Sequence, residues 1–254
     1  MPREDQEPTP IRNAEATLQG AAKQRYVTGM FTRIARRYDV MNTVMTFGQD
    51  EGWRQLTVRV ARPRPGSRAL DMGTGTGRIA AELARQGAAV WALDLTHEMM
   101  VRGRADLTAS PHWREPAQRV HFVQGDALTL PFADASFDCV TSGFTLRNVT
   151  DVPQAMRELC RVVRPGGRVV TLEASQPPLA LFRTGNRLYI TLMLPLLGRV
   201  IAGDADAYTY LRSSMIRFYD APGLAAVMRA AGLERVRFKR LMFGSVAVHV
   251  GTRP

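Results

Sequence analysis

Lysine is almost missing from this chain of 254 residues. Of its 34 basic residues only Lys23 and Lys239 are lysines, and the rest are arginines. Cysteine is as scarce, with Cys139 and Cys160 alone. Two distant cysteines without metal-ligand spacing exclude a disulfide framework and a zinc-finger type of site. Both fall in segments read below as strand and helix, where a thiol packs as a small apolar group. No apolar run approaches the roughly 20 residues of a bilayer-spanning helix. The longest, residues 188–197, is interrupted by Pro195. The first thirteen residues carry acidic groups and three prolines, where a signal peptide has a basic start and an apolar middle. Repeats and low-complexity tracts are absent. The expectation is a cytoplasmic protein with a flexible tail over residues 1–22.

What is present begins with charge. The formal balance is +11, a field that draws nucleic acid, anionic lipid or acidic ligands without choosing among them. The excess gathers at residues 23–68 and 229–253, and an arginine-rich genome composition explains it as well as a docking surface does. With 45% hydrophobic residues, a chain of this length buries a full core, and one domain over residues 23–254 is expected.

Ahead of residue 68, Tyr26, Met30, Phe31, Ile34 and Tyr38 recur at three- to four-residue spacing, and Trp53, Leu56 and Val60 repeat it. This predicts N-terminal helices over residues 23–62. Pro63-Arg64-Pro65-Gly66 marks a turn. After it, short β-type runs alternate with amphipathic segments, which implies a parallel sheet with helices on both faces. Strands are predicted at residues 68–71, 89–94, 120–124, 137–142, 167–173, 233–239 and 245–250. The link between the last two is too brief for a helical crossover, so they pair antiparallel. The fold class is therefore α/β. Seven strands ending in an antiparallel pair resemble the class I methyltransferase fold, a Rossmann-like arrangement, rather than the all-parallel dinucleotide-binding one. Residues 176–220, between the fifth and sixth strands, form an insert. Its apolar run 188–197, followed by Ile201, is a candidate lid or substrate-facing helix, with simple packing on the sheet as the alternative.

The densest local signal is Asp71-Met72-Gly73-Thr74-Gly75-Thr76-Gly77, where a strand turns into a helix beginning near Arg78. Glycine tolerates positive φ and has no Cβ, so this turn lets a ligand lie against bare backbone. The dinucleotide fingerprint needs its third glycine at position 78, which is Arg78 here. Gly73, Gly75 and Gly77, with Thr76 between, look instead like the version that binds S-adenosylmethionine. Asp94 closes the second strand, seventeen residues beyond Gly77, where a carboxylate accepts hydrogen bonds from both ribose hydroxyls of an adenosine. Asp126 and Ala127 follow the third strand, beside the place of an adenine ring in such folds; a cap is the other reading of Asp126. Gly143 ends the fourth strand in the crevice where the sheet order reverses. No Asp-Pro-Pro-Tyr type motif follows, and neither cysteine is preceded by proline, which disfavours methylation of exocyclic base amines and of pyrimidine C5.

The stretch Leu146-Arg147-Asn148-Val149-Thr150-Asp151, with Arg161-Val162-Val163-Arg164-Pro165-Gly166-Gly167-Arg168 and Leu172-Glu173, closely resembles the C-methyltransferases of menaquinone and ubiquinone biosynthesis. Upstream, Met30-Phe31, Tyr38-Asp39-Val40-Met41-Asn42 and Trp53-Arg54 match that family's N-terminal signature. Downstream, Asp204-Ala205-Asp206-Ala207-Tyr208 matches its insert. The chain departs from the family at Arg78, where aspartate is usual, and at Gly143-Phe144-Thr145, where Ser-Phe-Gly is usual.

The resemblance implies methyl transfer from S-adenosylmethionine, leaving S-adenosylhomocysteine, to a ring carbon of a reduced polyprenylated quinone. The acceptor is demethylmenaquinol or a benzoquinol of the ubiquinone pathway. Arg147 and Asn148 are then candidate donors to the developing phenolate, with Arg147 acting electrostatically because an arginine stays protonated. Tyr38 and Asp39 are candidates to close over the site, and Glu173 is a further one. His97 and His121 lie outside every matched motif. The isoprenoid tail needs an apolar groove, which Met193 and Leu194 of the insert would help form, and the basic surface suits an anionic membrane. Three alternatives stay open: a methyltransferase of another phenolic or lipid small molecule, an RNA methyltransferase, and a non-catalytic cofactor-binding subunit. No nucleic-acid partner is expected, and the oligomeric state, a homodimer included, is left open.

Overall fold

In the computed structural model, which describes residues 20–197 and 205–254, seven strands form one sheet. They are β1 (Arg68–Met72), β2 (Ala89–Asp94), β3 (Val120–Gln124), β4 (Phe137–Gly143), β5 (Val163–Ala174), β6 (Glu234–Leu241) and β7 (Val246–Thr252). The order is β3-β2-β1-β4-β5-β7-β6. β1 to β5 pair in parallel, and β7 runs antiparallel to both neighbours, β5 and β6. This is the class I methyltransferase fold. Its order reverses at β1 and β4, which opens a crevice at the carboxyl ends of those strands.

Strand boundaries fall within two residues of expectation, with one exception. β5 starts at Val163, not at residue 167, although Pro165-Gly166-Gly167 reads as a turn. Val163 pairs with Phe137, the ladder then shifts register, and pairing resumes between Cys139 and Arg168. The proline occupies that irregularity, where no ladder hydrogen bond is required of it.

The strand residues alternate between two cores. Leu70, Met72 and Val140 face α7 (Val152–Val162) and α10 (Ala221–Ala230), which bring Met156, Leu159, Leu224 and Met228. Ala69, Cys139 and Val170 face α3 (Asp50–Ala61) and α4 (Arg78–Arg85), which bring Trp53, Val58, Ala80 and Leu83. Full burial of such side chains contributes about 1.5–3 kcal/mol each. Asp151 starts α7 by accepting the Gln154 N–H at 2.8 Å, with Pro153 in the first turn, a position where proline's missing N–H costs nothing.

A third cluster caps the crevice. α1 (Gly20–Ile34), α2 (Tyr38–Met45), α8 (Ala180–Leu197) and α9 (Ala205–Arg217) meet through Val27, Met30, Met41, Ile190, Ala207 and Tyr210. The apolar period runs on from Tyr26 to Tyr38, but the chain breaks at residues 35–37, and Tyr38 opens α2. α5 (His97–Ala109) and the short α6 (Arg114–Ala117) complete the helices of the described residues. The tail expected over residues 1–22 lies outside the described residues up to residue 19, as do Ile201 and Asp204; the side chains of Met193 and Leu194 are also outside them. Among the described residues, no helix is long and apolar enough to cross a membrane.

Candidate active site

After β1 the chain turns through Gly73 (φ +67°), Gly75 (φ +56°) and Gly77 (φ +76°), all in the left-handed region that favours glycine. Asp94, at the end of β2, holds this turn. Its Oδ2 accepts the Gly75 N–H at 2.8 Å and its Oδ1 accepts the Thr96 N–H at 2.8 Å. Each oxygen keeps a further lone pair for a ligand. Burial pushes the Asp94 carboxyl above its ordinary pKa, and those backbone donors oppose the shift. Asp71, at the base of the turn, is buried between the Thr74 and Thr141 hydroxyls, which donate to it at 2.7 and 2.8 Å. Burial raises it to about 6.

Above the turn lies a cavity with about 760 Å³ of empty space. The sheet supplies Gly73, Gly75, Asp94, Gly125, Asp126 and Ala127, and the cap supplies Gln24, Phe31 and Tyr38. Phe144, Thr145 and Asn148 close it from the segment after β4. Asp126 caps no helix: its Oδ1 accepts the Leu128 N–H at 2.9 Å within a turn, while its Oδ2 accepts Gln24 Nε2 at 2.7 Å. Three expected contact residues are not brought into the wall. Thr76 donates its hydroxyl to Asp39 Oδ1 at 2.8 Å. A Cβ on Gly77 would come within 3.0 Å of Phe122 and 3.1 Å of Leu107, and one on Gly143 would meet Ile79. These residues shape the loop and crevice from behind. Arg78 also points elsewhere, toward Glu51 and the Trp113 ring, so the family departure at that position lies outside the cavity.

A second, mostly apolar cavity, open to solvent and with about 700 Å³ of empty space, is lined by Met45, Trp53, Tyr189, Ile190, Leu211 and Met215, with Asn42, Asp50 and Arg147 among its polar groups. A smaller one of about 420 Å³ lies between the two. Tyr38 and Asn148 border it and the first cavity, while Asn42, Met45 and Arg147 border it and the second. The junction therefore carries the candidates Tyr38, Arg147 and Asn148 together. Arg147 is fixed there by Glu173: Nη1 lies 3.1 Å from Glu173 Oε2, and the side chains are 8% and 0% exposed. Glu173 Oε1 accepts the Leu146 N–H at 2.6 Å. Burial raises the Glu173 carboxyl, and the Arg147 charge opposes that rise. Among the described residues, Arg147 Nε is buried without a hydrogen-bond acceptor, a donor left over at the junction. Burial also raises the Tyr38 phenol, against the nearby Arg147 charge.

A profile of the ubiE/COQ5 methyltransferase family matches residues 19–253. The chain belongs to that family. Among its relatives are the demethylmenaquinone methyltransferases of Roseiflexus castenholzii, 45% identical over 91% of this chain and 94% of that protein, and of Mycobacterium marinum, 42% identical over 91% and 94%. Of solved structures, a possible histamine N-methyltransferase from Thermotoga maritima superposes with a TM-score of 0.61 at 19% identity, over 90% of this chain and all of that one. A phosphoethanolamine N-methyltransferase of Haemonchus contortus, solved with S-adenosylhomocysteine, gives a TM-score of 0.57 at 15% identity, over 79% and 52%. At such identities these two speak for the fold only. The chain is thus an S-adenosylmethionine-dependent methyltransferase of the ubiE/COQ5 family.

For this methyltransferase, the sequence offered Glu173 only as a further candidate, named Asp71 and Asn42 within motifs without giving them a role, and gave no sign of Gln24. Glu173 sits in an apolar strand with an ordinary spacing, and only its 26-residue reach to Arg147 gives it a role. Gly103 was also missed: a Cβ there would run into the Thr76 carbonyl, so its absence lets α5 clamp the glycine turn. His97 and His121 line neither main cavity.

Proposed function

We propose that this methyltransferase acts on a ring carbon of demethylmenaquinol, a reduced polyprenylated naphthoquinone, giving menaquinol and S-adenosylhomocysteine. The observation that carries the reading is the sequence of cavities: a glycine-walled one with a carboxylate at its rim, then a junction bearing a fixed arginine, then an apolar chamber.

The first cavity fits the cofactor. Gly73 and Gly75 line it with bare backbone, Asp94 offers acceptors to two ribose hydroxyls, and Asp126 with Ala127 and Leu128 flanks the place of the adenine. The Tyr38 and Phe144 rings suit a cationic sulfonium. When bound, this group supplies a methyl already activated by the positive sulfur.

The chain must orient the acceptor carbon and ease loss of the neighbouring phenolic proton to water; after the methyl group attaches, the proton on that ring carbon leaves and the phenol is restored, so one proton is released in all. The Arg147 guanidinium, held by Glu173, stabilises the phenolate as it develops, and the Asn148 amide sits beside it at the junction. Such prearranged charge acts without reorganisation at the moment of reaction, and alignment of the reacting atoms adds to it. Met45, Trp53, Ile190 and Leu211 receive the naphthalene ring and the first isoprene units. A quinol of this kind dissolves in the bilayer, so the enzyme works as a peripheral protein at a membrane surface.

Mass spectrometry of quinones in cells lacking the protein tests the assignment. The expected result is a menaquinone pool lighter by one methyl group, restored by the wild-type chain and not by the Arg147→Ala variant. An unchanged pool refutes it.

A further inference from the structure

The fold leaves one region of apolar surface without a partner among the described residues. α2 is apolar on two sides: Tyr38, Met41 and Met45 turn toward the cavities, whereas Val40, Val44 and then Phe47 are exposed at helical spacing. The start of α8 adds exposed Leu181, Phe182 and Leu188. The turn before β7 adds Phe243, which stacks on Phe182 with ring centroids 4.8 Å apart. Phe47 in turn lies 6.0 Å from Tyr189, whose hydroxyl donates to the Met45 carbonyl at 2.8 Å. These contacts join the three segments around the apolar chamber, which Met45, Tyr189 and Met242 help to line.

Two features separate this patch from scattered surface hydrophobics. Phe47 and Phe243 are 68% and 74% exposed, and both have left-handed backbone, with φ of +53° and +55°. A non-glycine residue in that region stores strain, here at two turns that each present a phenylalanine ring to solvent. The charge around the patch is also predominantly positive. Residues 38–47, 177–191 and 240–245 carry Arg183, Arg187 and Arg240, all exposed, against a single acid, Asp39. That carboxylate is engaged with Thr76. Exposed aromatic and aliphatic side chains ringed by arginine form the pattern of a surface that seats itself at the headgroup level of an anionic bilayer.

We infer that α2, the start of α8 and the 242–244 turn form a membrane-docking face, which inserts Phe47, Leu181 and Phe243 into an anionic leaflet and sets the apolar chamber's mouth against the lipid. This rests on reading that chamber as the place of a bilayer-dissolved quinol. It adds the partner surface by which the substrate passes from lipid to site without crossing water.

The test is co-sedimentation of the full chain with vesicles of phosphatidylcholine alone or mixed with phosphatidylglycerol. Two variants accompany it: Phe47→Asn/Leu181→Ser/Phe243→Asn, in which asparagine tolerates the left-handed backbone, and Arg183→Gln/Arg187→Gln. The wild type binds the anionic vesicles. The first variant loses at least about tenfold in partition, and the second about fivefold per arginine on anionic vesicles only. Both keep methylation of a tailless demethylated naphthohydroquinone in lipid-free solution, which also shows that they fold. Equal binding by wild type and variants, or none by the wild type, overturns the inference. So does a dimer in solution that the same substitutions dissolve without any effect on vesicles. Failure of the tailless quinol to accept a methyl group, with vesicle binding intact, removes the substrate assignment and leaves the docking face standing.

Discussion

Replacing Glu173 by glutamine tests the hold on Arg147 most directly. The carboxylate receives Arg147 Nη1 at 3.1 Å, the Leu146 N–H at 2.6 Å and the Ala174 N–H at 3.3 Å. Glutamine matches its size but has one acceptor oxygen. If that oxygen keeps Leu146, the amide NH₂ faces the guanidinium and the Ala174 N–H, donor against donor. With the two side chains 8% and 0% exposed, the arginine cannot recover its hydration without leaving the junction. Loss of one partner from a buried pair costs about 3–5 kcal/mol, and for a chain of this size each kcal/mol lowers Tm by roughly 2–4 °C. The expected fall is about 6–20 °C by calorimetry, with cofactor affinity kept because Glu173 does not line that cavity. Adding Arg147→Met to Glu173→Gln should restore most of the lost stability while methyl transfer stays abolished, since the uncompensated charge is gone. A Glu173→Gln protein that melts within about 2 °C of wild type, at full turnover, would show that the pair neither carries buried charge nor positions the arginine.

Three further outcomes follow from groups described above. Asp94→Asn removes the ionised acceptor facing the ribose place, where each charge-assisted hydrogen bond is worth about 1.5–3 kcal/mol, so calorimetry should show S-adenosylhomocysteine binding weakened about a hundredfold or more; a change under threefold contradicts the assignment. Asp71 has its folded pKa raised to about 6 by burial, so its contribution to stability is full below its unfolded value near 4 and is lost as pH rises through about 6. That amounts to about 3 kcal/mol across this window. Asp71→Asn should lack this part of the pH dependence in urea unfolding, and parallel curves for the two proteins refute it. Asp151→Ala removes the cap of α7 at a cost of about 1 kcal/mol, visible as a Tm lower by roughly 2–4 °C with cofactor binding unchanged.

The sheet was legible because its strands are short apolar runs with turn residues between them, and the brief link ahead of Val246 forced an antiparallel pair. The insertion of β7 between β5 and β6 was not, because neighbours in a sheet are set by packing on the two cores. Nor was the break at residues 35–37, where the apolar period runs on while the chain turns to aim Tyr38 at the cavity. Among site residues, Gly73, Gly75 and Asp94 could be placed from spacing. Thr76, Gly77 and Gly143 belong to the same motifs, and only the three-dimensional turn shows which way each atom faces. Glu173 and Asp71 illustrate the opposite failure, since a lone carboxylate in an apolar strand acquires meaning from partners far away in the chain.

The Thr145 hydroxyl has one proton to share between the Gly73 carbonyl at 2.9 Å and the Gly143 carbonyl at 3.1 Å. Any Cβ at Gly73 would occupy the space of the Thr145 side chain. The two positions, 72 residues apart, therefore constrain each other: with threonine at 145, no residue that carries a Cβ fits at 73. A polar clasp between two loops thus makes the residue tolerated on one side depend on the side chain held on the other.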